Sequence, residues 1–213
     1  MEELKTEGAT AEELKRDDLE VEEWKKNSPV LILIRGVPGS GKSTLAKRLA
    51  AQWPDLVHLE ADMYFVDQQG EYRWEPAKLG AAHDWCQMWA YSCMCTGSYS
   101  VVVSNTFMEQ WELEGYVALA AITPVRHVII HDCPLFSGFS NCHQVPSASV
   151  DRMRSKWQPS DKVVAALQPL YPALTFRLSP LKNTERATPK HATLPECAEH
   201  TQLESHIARE PEV

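Results

Sequence analysis

Three features of this sequence predict an α/β fold built on a parallel, three-layer sheet. Short apolar runs alternate with segments of helical spacing along the chain. The run at 30–34 enters a glycine-rich turn that opens a helix. Polar residues with chemistry to offer fall at the carboxyl ends of the runs, where open parallel sheets place their ligands.

Each element has its own justification. Val30-Leu31-Ile32-Leu33-Ile34, closed by Arg35, is apolar without alternation, as a strand buried on both faces must be, and gives strand one at 30–35. Leu45 and Leu49 at helical spacing make 42–52 the first helix, which Trp53-Pro54 ends. Leu56-Val57-His58-Leu59 is a short second strand and delivers Glu60-Ala61-Asp62 to its carboxyl end; 63–75 is a loop turning at Gly70. After Pro76, steps of three and four through Leu79, Ala82, Trp85, Met88, Trp89 and Ser92 predict a helix to about Cys95, stopped by Thr96-Gly97. Tyr99 to Val103 is a β-branched strand ending at Ser104-Asn105-Thr106. A helix at 108–121, a strand from Val125 to His131, a helical lid over 134–146, helices at about 147–157 and 161–169, and a last strand near 174–178 complete the pattern.

The 213 residues suit one domain with tails: an acidic arm at 1–28, helical or disordered, a domain at 29–179 and a disordered tail at 180–213. Leu14, Leu19, Val21 and Trp24 could make the arm an amphipathic helix that docks on the domain or on a protein partner. Of the net charge of −8, residues 1–27 carry −5, residues 180–213 carry −2, and 28–179 only −1. The domain therefore lacks the basic excess of a non-specific nucleic-acid binder, and a polynucleotide would need a local patch. No apolar run reaches the roughly 18 residues of a membrane span, and the acidic N-terminus is the opposite of a secretory sequence. Six scattered cysteines point to a reducing, cytoplasmic setting. Cys93 and Cys95, or His131, Cys133, Cys142 and His143, fit no common zinc spacing and read as free thiols with a loop histidine.

The turn after strand one reads Gly36-Val37-Pro38-Gly39-Ser40-Gly41-Lys42-Ser43-Thr44 and satisfies G-x-x-x-x-G-K-[ST], the phosphate-binding loop. Gly36, Gly39 and Gly41 let successive N–H groups point into one concavity, and the following helix adds its N-terminal partial charge. Lys42 would reach the β- and γ-phosphates and the Ser43 hydroxyl would ligate Mg²⁺. The chain is thus expected to bind ATP with Mg²⁺. Asp62, one strand over, could take the proton of an attacking hydroxyl, hold Mg²⁺ through water, or simply cap a turn.

The string from Arg35 to Thr44 resembles the start of polynucleotide-kinase-like P-loop kinases, the AAA-type predicted kinases. The likeness continues through Ala61-Asp62-Met63-Tyr64-Phe65, Gly70-Glu71-Tyr72, Ala82-His83-Asp84-Trp85-Cys86-Gln87, Val101-Val102-Val103-Ser104-Asn105-Thr106, Trp111-Glu112 with Tyr116, His143-Gln144-Val145-Pro146 and Arg152-Met153. In particular it is similar to the group named after the NEDD-four-binding protein two, and it runs from about residue 30 to 160. The resemblance implies a nucleoside/polynucleotide kinase-like P-loop NTPase that transfers the ATP γ-phosphoryl group to a hydroxyl, in nucleic-acid kinases the 5′-OH of a polynucleotide. It implies Asp62 and Lys42 as catalytic residues, Ser43 at the metal, and Asn105, Thr106 and Arg152 on the acceptor side. His83 and Trp111 would be landmarks of packing as much as of chemistry.

The departures from that pattern carry information too. Met63 stands where the family has a second acid, and Ser104 where it has an acid before the Asn-Thr pair. Phe139 and Ser140 hold the usual places of lid arginines, a loss that Arg152, Arg154 or Lys156 on the next helix, or Arg73 or Arg126, would have to make good. The leading expectation is an ATP-dependent kinase with an alcohol acceptor. The alternatives are a small-molecule kinase, with Tyr64, Phe65, Tyr72 and Trp74 as sheet cover rather than a stacking platform, and a nucleotide-binding interaction protein with little turnover.

Overall fold

The computed structural model describes residues 21–27, 29–133 and 145–179. Residues 134–144 of the lid expected at 134–146, residues 1–20 of the arm, residue 28 and the tail from 180 lie outside the described residues, and with them Phe139, Ser140, Cys142, His143 and Gln144.

Five strands form one parallel sheet: β1 (Val30–Arg35), β2 (Leu56–Leu59), β3 (Ser100–Ser104), β4 (His127–Asp132) and β5 (Thr175–Leu178), in the order β2-β3-β1-β4-β5. The helices are α1 (Lys42–Gln52), α2 (Leu79–Cys95), α3 (Gln110–Ala121), α4 (Ser147–Ser155) and α5 (Ser160–Leu167). β1 is central and every one of its residues is buried, which is why its sequence does not alternate.

Strand periodicity sorts the core into two layers. Val30, Ile32, Ile34, Val102 and Ile129 face α1, where they meet Leu45, Ala46, Leu49 and Trp53. Val21 and Trp24, from a helical stretch at 21–26, are buried in the same layer. Leu31, Leu33, Leu59, Val101, Val103, Val128 and Ile130 face the other way, onto α2, α3 and α5. Exposing a buried side chain of the size of Trp24 or Leu31 costs about 1.5–3 kcal/mol, so the segment at 21–26 is anchored by two such residues. The loop expected at 63–75 contains more order than its sequence announces. A 3₁₀ turn spans Ala61–Phe65, and Val66 bridges Tyr72 across a reversal at Gly70 (φ 82°). Asp67 Oδ1 holds that reversal by accepting from the N–H groups of Gln69 and Glu71.

Candidate active site

All strands run the same way, so the carboxyl ends of β1, β2 and β3 share one edge. At β1 the chain leaves through Gly36 (φ 153°), Gly39 (φ 75°) and Gly41 (φ 90°) before α1 starts at Lys42. A Cβ on Gly36 would stand 2.6 Å from Ser40 Oγ and 3.0 Å from Cys133 Cβ, so the first position of the loop admits no side chain. Gly36 N–H donates to the Thr106 carbonyl (3.0 Å) and Cys133 N–H to the Arg35 carbonyl (2.8 Å), tying the loop to the ends of both neighbouring strands.

Lys42 is 9% exposed, and its ammonium donates to the Val37 carbonyl at 2.9 Å, across the loop. Burial pulls its pKa down while Glu60 and Asp62 push back. Cys133, the other group acting on it, has its thiol pushed up to about 12 by burial and is uncharged at neutral pH, so the counter-charges are the two carboxylates.

Asp62 sits half-buried in the 3₁₀ turn that follows β2, and the Tyr72 hydroxyl donates to its Oδ1 at 3.3 Å. Burial first, and then Asp62, raises the Tyr72 pKa, so the phenol stays protonated and able to donate. Asn105 is 7% exposed: its Oδ1 accepts from the Ala61 N–H at 3.0 Å and its amide faces the Tyr116 hydroxyl at 3.4 Å. It therefore fixes the turn that bears Asp62. Thr106 contributes the carbonyl that holds Gly36.

Sequence reasoning named Glu60 only as part of a strand end. In the fold its Oε2 accepts from Ser43 Oγ at 2.6 Å and from Ser104 Oγ at 3.0 Å. His58 Nε2 lies 2.8 Å from Ser104 Oγ. Since the one proton of Ser104 goes to Glu60, His58 is the donor to Ser104, which assigns its N–H to Nε2. Burial lowers the His58 pKa and keeps the ring neutral. The departure at Ser104 was the signal that could have drawn attention to Glu60.

The remaining candidates are dispersed. Arg73 pairs with Asp67 and Glu71 (each 2.9 Å), Arg154 with Asp151 (2.7 Å) and Lys156 with Glu109 (3.2 Å). Arg126 precedes β4 and donates to the Thr123 and Val125 carbonyls, which puts it at the amino end of the sheet, away from the loop. Arg152 is exposed in the last turn of α4. Trp111 is 67% exposed, so packing is not its role. Of the four aromatics around Gly70, Phe65 is core and Tyr72 serves Asp62, while Tyr64, within the Asp62 turn, packs edge-on against Phe65 and Trp85, and Trp74 is exposed.

A buried strand, a glycine loop and a helix on an all-parallel sheet define a P-loop nucleotide-binding domain with a kinase-like fold. Residues 31–136, just under half of the chain, match the family model described as AAA domain. Over 91 residues the chain is 41% identical to NEDD4-binding protein 2 of Homo sapiens; the match covers 43% of this chain and 5% of that protein. Among solved structures, a chain of the Pnkp1/Rnl/Hen1 RNA repair complex shares the fold with a TM-score of 0.51 at 17% identity, over 64% of this chain and 48% of that one. Among the described residues, no helix is long and apolar enough to cross a membrane.

Proposed function

We propose that this chain is an ATP-dependent phosphotransferase that passes the γ-phosphoryl group to an acceptor hydroxyl. The observation that carries this reading is the placement of Asp62 on a pinned turn at the same sheet edge as the buried Lys42 and its glycine loop. The loop amides from Gly36 to Thr44 would cradle the phosphates, and Lys42 would exchange the Val37 carbonyl for phosphate oxygens. The donors beside the loop, the Ser43 hydroxyl and the neighbouring carboxylate, are hard oxygens of the kind Mg²⁺ takes, so the residues fit that ion and Ser43 would hold it. Bound there, Mg²⁺ supplies neutralisation of the triphosphate charge. Asp62 would orient the acceptor hydroxyl and accept its proton, with the Tyr72 hydroxyl keeping the carboxylate in place.

For the acceptor we favour a polynucleotide 5′-OH. Tyr64, in the turn that bears Asp62, is 36% exposed and Trp74 is 53% exposed, aromatic surface on which bases could stack, and the structure of like fold comes from an RNA repair complex. One observation favours a small-molecule acceptor instead: residues 28–179 sum to only −1, without the basic excess a single-strand binder uses. A nucleotide-binding protein without turnover is the third reading, since Phe139 and Ser140 stand in the places of lid arginines.

The test is transfer of labelled γ-phosphate from ATP to 5′-OH oligonucleotides and to a panel of small alcohols. Asp62→Asn should keep ATP affinity within about threefold and lower transfer by a factor of about 10²–10⁴. Unchanged transfer in Asp62→Asn would sink the base assignment. ATP binding with no transfer in either panel would leave the binding-protein reading.

A further inference from the structure

The acid that precedes the Asn-Thr pair at the end of β3 in the resembling kinases is Ser104 here. We propose that Glu60, at the end of the adjacent edge strand β2, supplies the carboxylate of the divalent-cation site at the phosphate loop, with Ser104 and His58 as the residues that position it. This inference deepens the phosphotransferase reading and rests on its nucleotide-binding part.

Glu60 already meets the cation's expected protein ligand. Its Oε2 takes the Ser43 proton at 2.6 Å, which leaves the Ser43 lone pairs to face a cation. Ser104 carries no acid and serves as a bridge: it donates to the same Oε2 at 3.0 Å and accepts from His58 at 2.8 Å. Three hydroxyl or imidazole groups thus converge on one carboxylate oxygen or on its support. This outer support resembles the hydrogen bonds that orient carboxylate ligands at metal sites.

Backbone geometry explains how Glu60 gets there. Glu60 continues β2 in an extended conformation (φ −147°, ψ 147°), so His58 and Glu60 fall on the same face of the sheet. The β2–β3 register sets Leu59 opposite Val103, and the next step brings Glu60 alongside Ser104. Val102 and Ser104 share the face that looks onto α1, the helix whose second residue is Ser43. A carboxylate one residue earlier or later would point into the opposite layer. The side chain of Glu60 is 16% exposed, and its charge acts on the Lys42 ammonium. A half-buried carboxylate that accepts from two hydroxyls is better compensated when a cation joins it.

The test measures cation binding directly, with Mn²⁺ followed by electron paramagnetic resonance in the presence of a non-hydrolysable ATP analogue. Analogue affinity in EDTA, by fluorescence, serves as the parallel measurement. Glu60→Gln, which keeps the hydrogen-bond shape, should weaken Mn²⁺ by about 10- to 100-fold and leave metal-free analogue binding unchanged or tighter. Ser104→Asp added to Glu60→Gln should return Mn²⁺ affinity to within about threefold of the unaltered protein. Ser104→Ala should weaken Mn²⁺ several-fold by itself and have no effect in the Glu60→Gln background, as a positioning residue must. Mn²⁺ affinity within twofold of normal in Glu60→Gln would overturn the proposal while leaving nucleotide binding intact, and so would a Glu60→Gln/Ser104→Asp protein that fails to recover. Absence of analogue binding by the unaltered protein, with and without Mn²⁺, would remove the nucleotide-binding reading and this inference together.

Discussion

Replacing Arg35 by Met should cost this domain about 3–5 kcal/mol, although Arg35 touches no expected ligand. The residue ends β1 immediately before the phosphate loop, a place where a sequence alone would suggest an anion contact. Instead the side chain is fully buried. Its guanidinium donates to the carbonyls of Phe107 (2.8 Å) and Met108 (3.1 Å) and to Ser160 Oγ (2.8 Å), and it lies 3.9 Å over the Trp157 ring. Hydrogen bonds to a charged donor contribute about 1.5–3 kcal/mol each, and the aromatic contact about 2 kcal/mol when desolvated. Desolvation of the guanidinium, which also lowers its pKa, offsets part of that sum. The Asp132 contact at 3.8 Å adds little, because that carboxylate is 43% exposed. What decides the sign is the state left behind: the Met108 carbonyl keeps the Gln158 N–H (2.9 Å), but the Phe107 carbonyl is stripped of its buried donor, on a residue whose φ of 47° is already an unfavourable backbone for a bulky side chain. Against a total stability of about 5–15 kcal/mol, the loss should move the urea midpoint far down with little change in slope. Arg35→Lys keeps the charge but only a single donor head, and should recover less than half of the deficit. A Met variant within about 1 kcal/mol of the unaltered protein would refute this account of the clamp.

Two further substitutions test the site from other directions. Gly36→Ala forces a Cβ to within 3.0 Å of Cys133 Cβ at a φ of 153°; a loss of about 1–3 kcal/mol in urea unfolding and at least tenfold in ATP affinity are expected, and normal values for both would show that the loop relaxes freely. His131 is buried, with Nδ1 3.2 Å from Ser179 Oγ, and burial together with Arg48 holds its pKa down at about 4. Its unfolded value is about 6.5, so the unfolded chain takes up the proton first: the contribution is complete above about pH 6.5 and is lost as pH falls towards 4. Between pH 7.5 and 5 the loss should be about 2 kcal/mol, read as the difference in pH slope between the unaltered protein and His131→Asn; equal slopes would exclude it.

Local chemistry made most of the frame legible. β1 and β2 stand where their apolar runs put them, and α1 where Lys42 follows the last loop glycine, because each is specified within a few residues of itself. Helix starts expected at 108 and strand starts expected at 125 slipped to Gln110 and His127, where backbone pairing and not hydropathy sets the end. The 3₁₀ turn at Ala61–Phe65 was hidden because Asn105, 44 residues away, holds its first N–H. The same distance in sequence hid Glu60, whose partners Ser43 and Ser104 are 17 and 44 residues off, and the inward turn of Arg35, whose partners are 72, 73 and 125 residues off. Periodicity carries no record of such pairings.

The departures at 63 and 104 look different once the sheet is assembled. Counted along the sequence, a site that trades two acids for Met63 and Ser104 has thinned its charge. Counted in space, one carboxylate has moved by a strand: it now approaches Ser43 from the edge strand β2, through a serine that occupies the vacated place on β3. The consequence is a dependence the resembling kinases need not share. An acid on β3 is held by a strand paired on both sides, whereas Glu60 is held by the four-residue ladder between β2 and β3 and by the His58–Ser104 contact. Weakening that edge ladder should therefore loosen the cation before it disturbs the phosphate loop, whose own tethers run to β3 and β4 through the Thr106 carbonyl and the Cys133 amide.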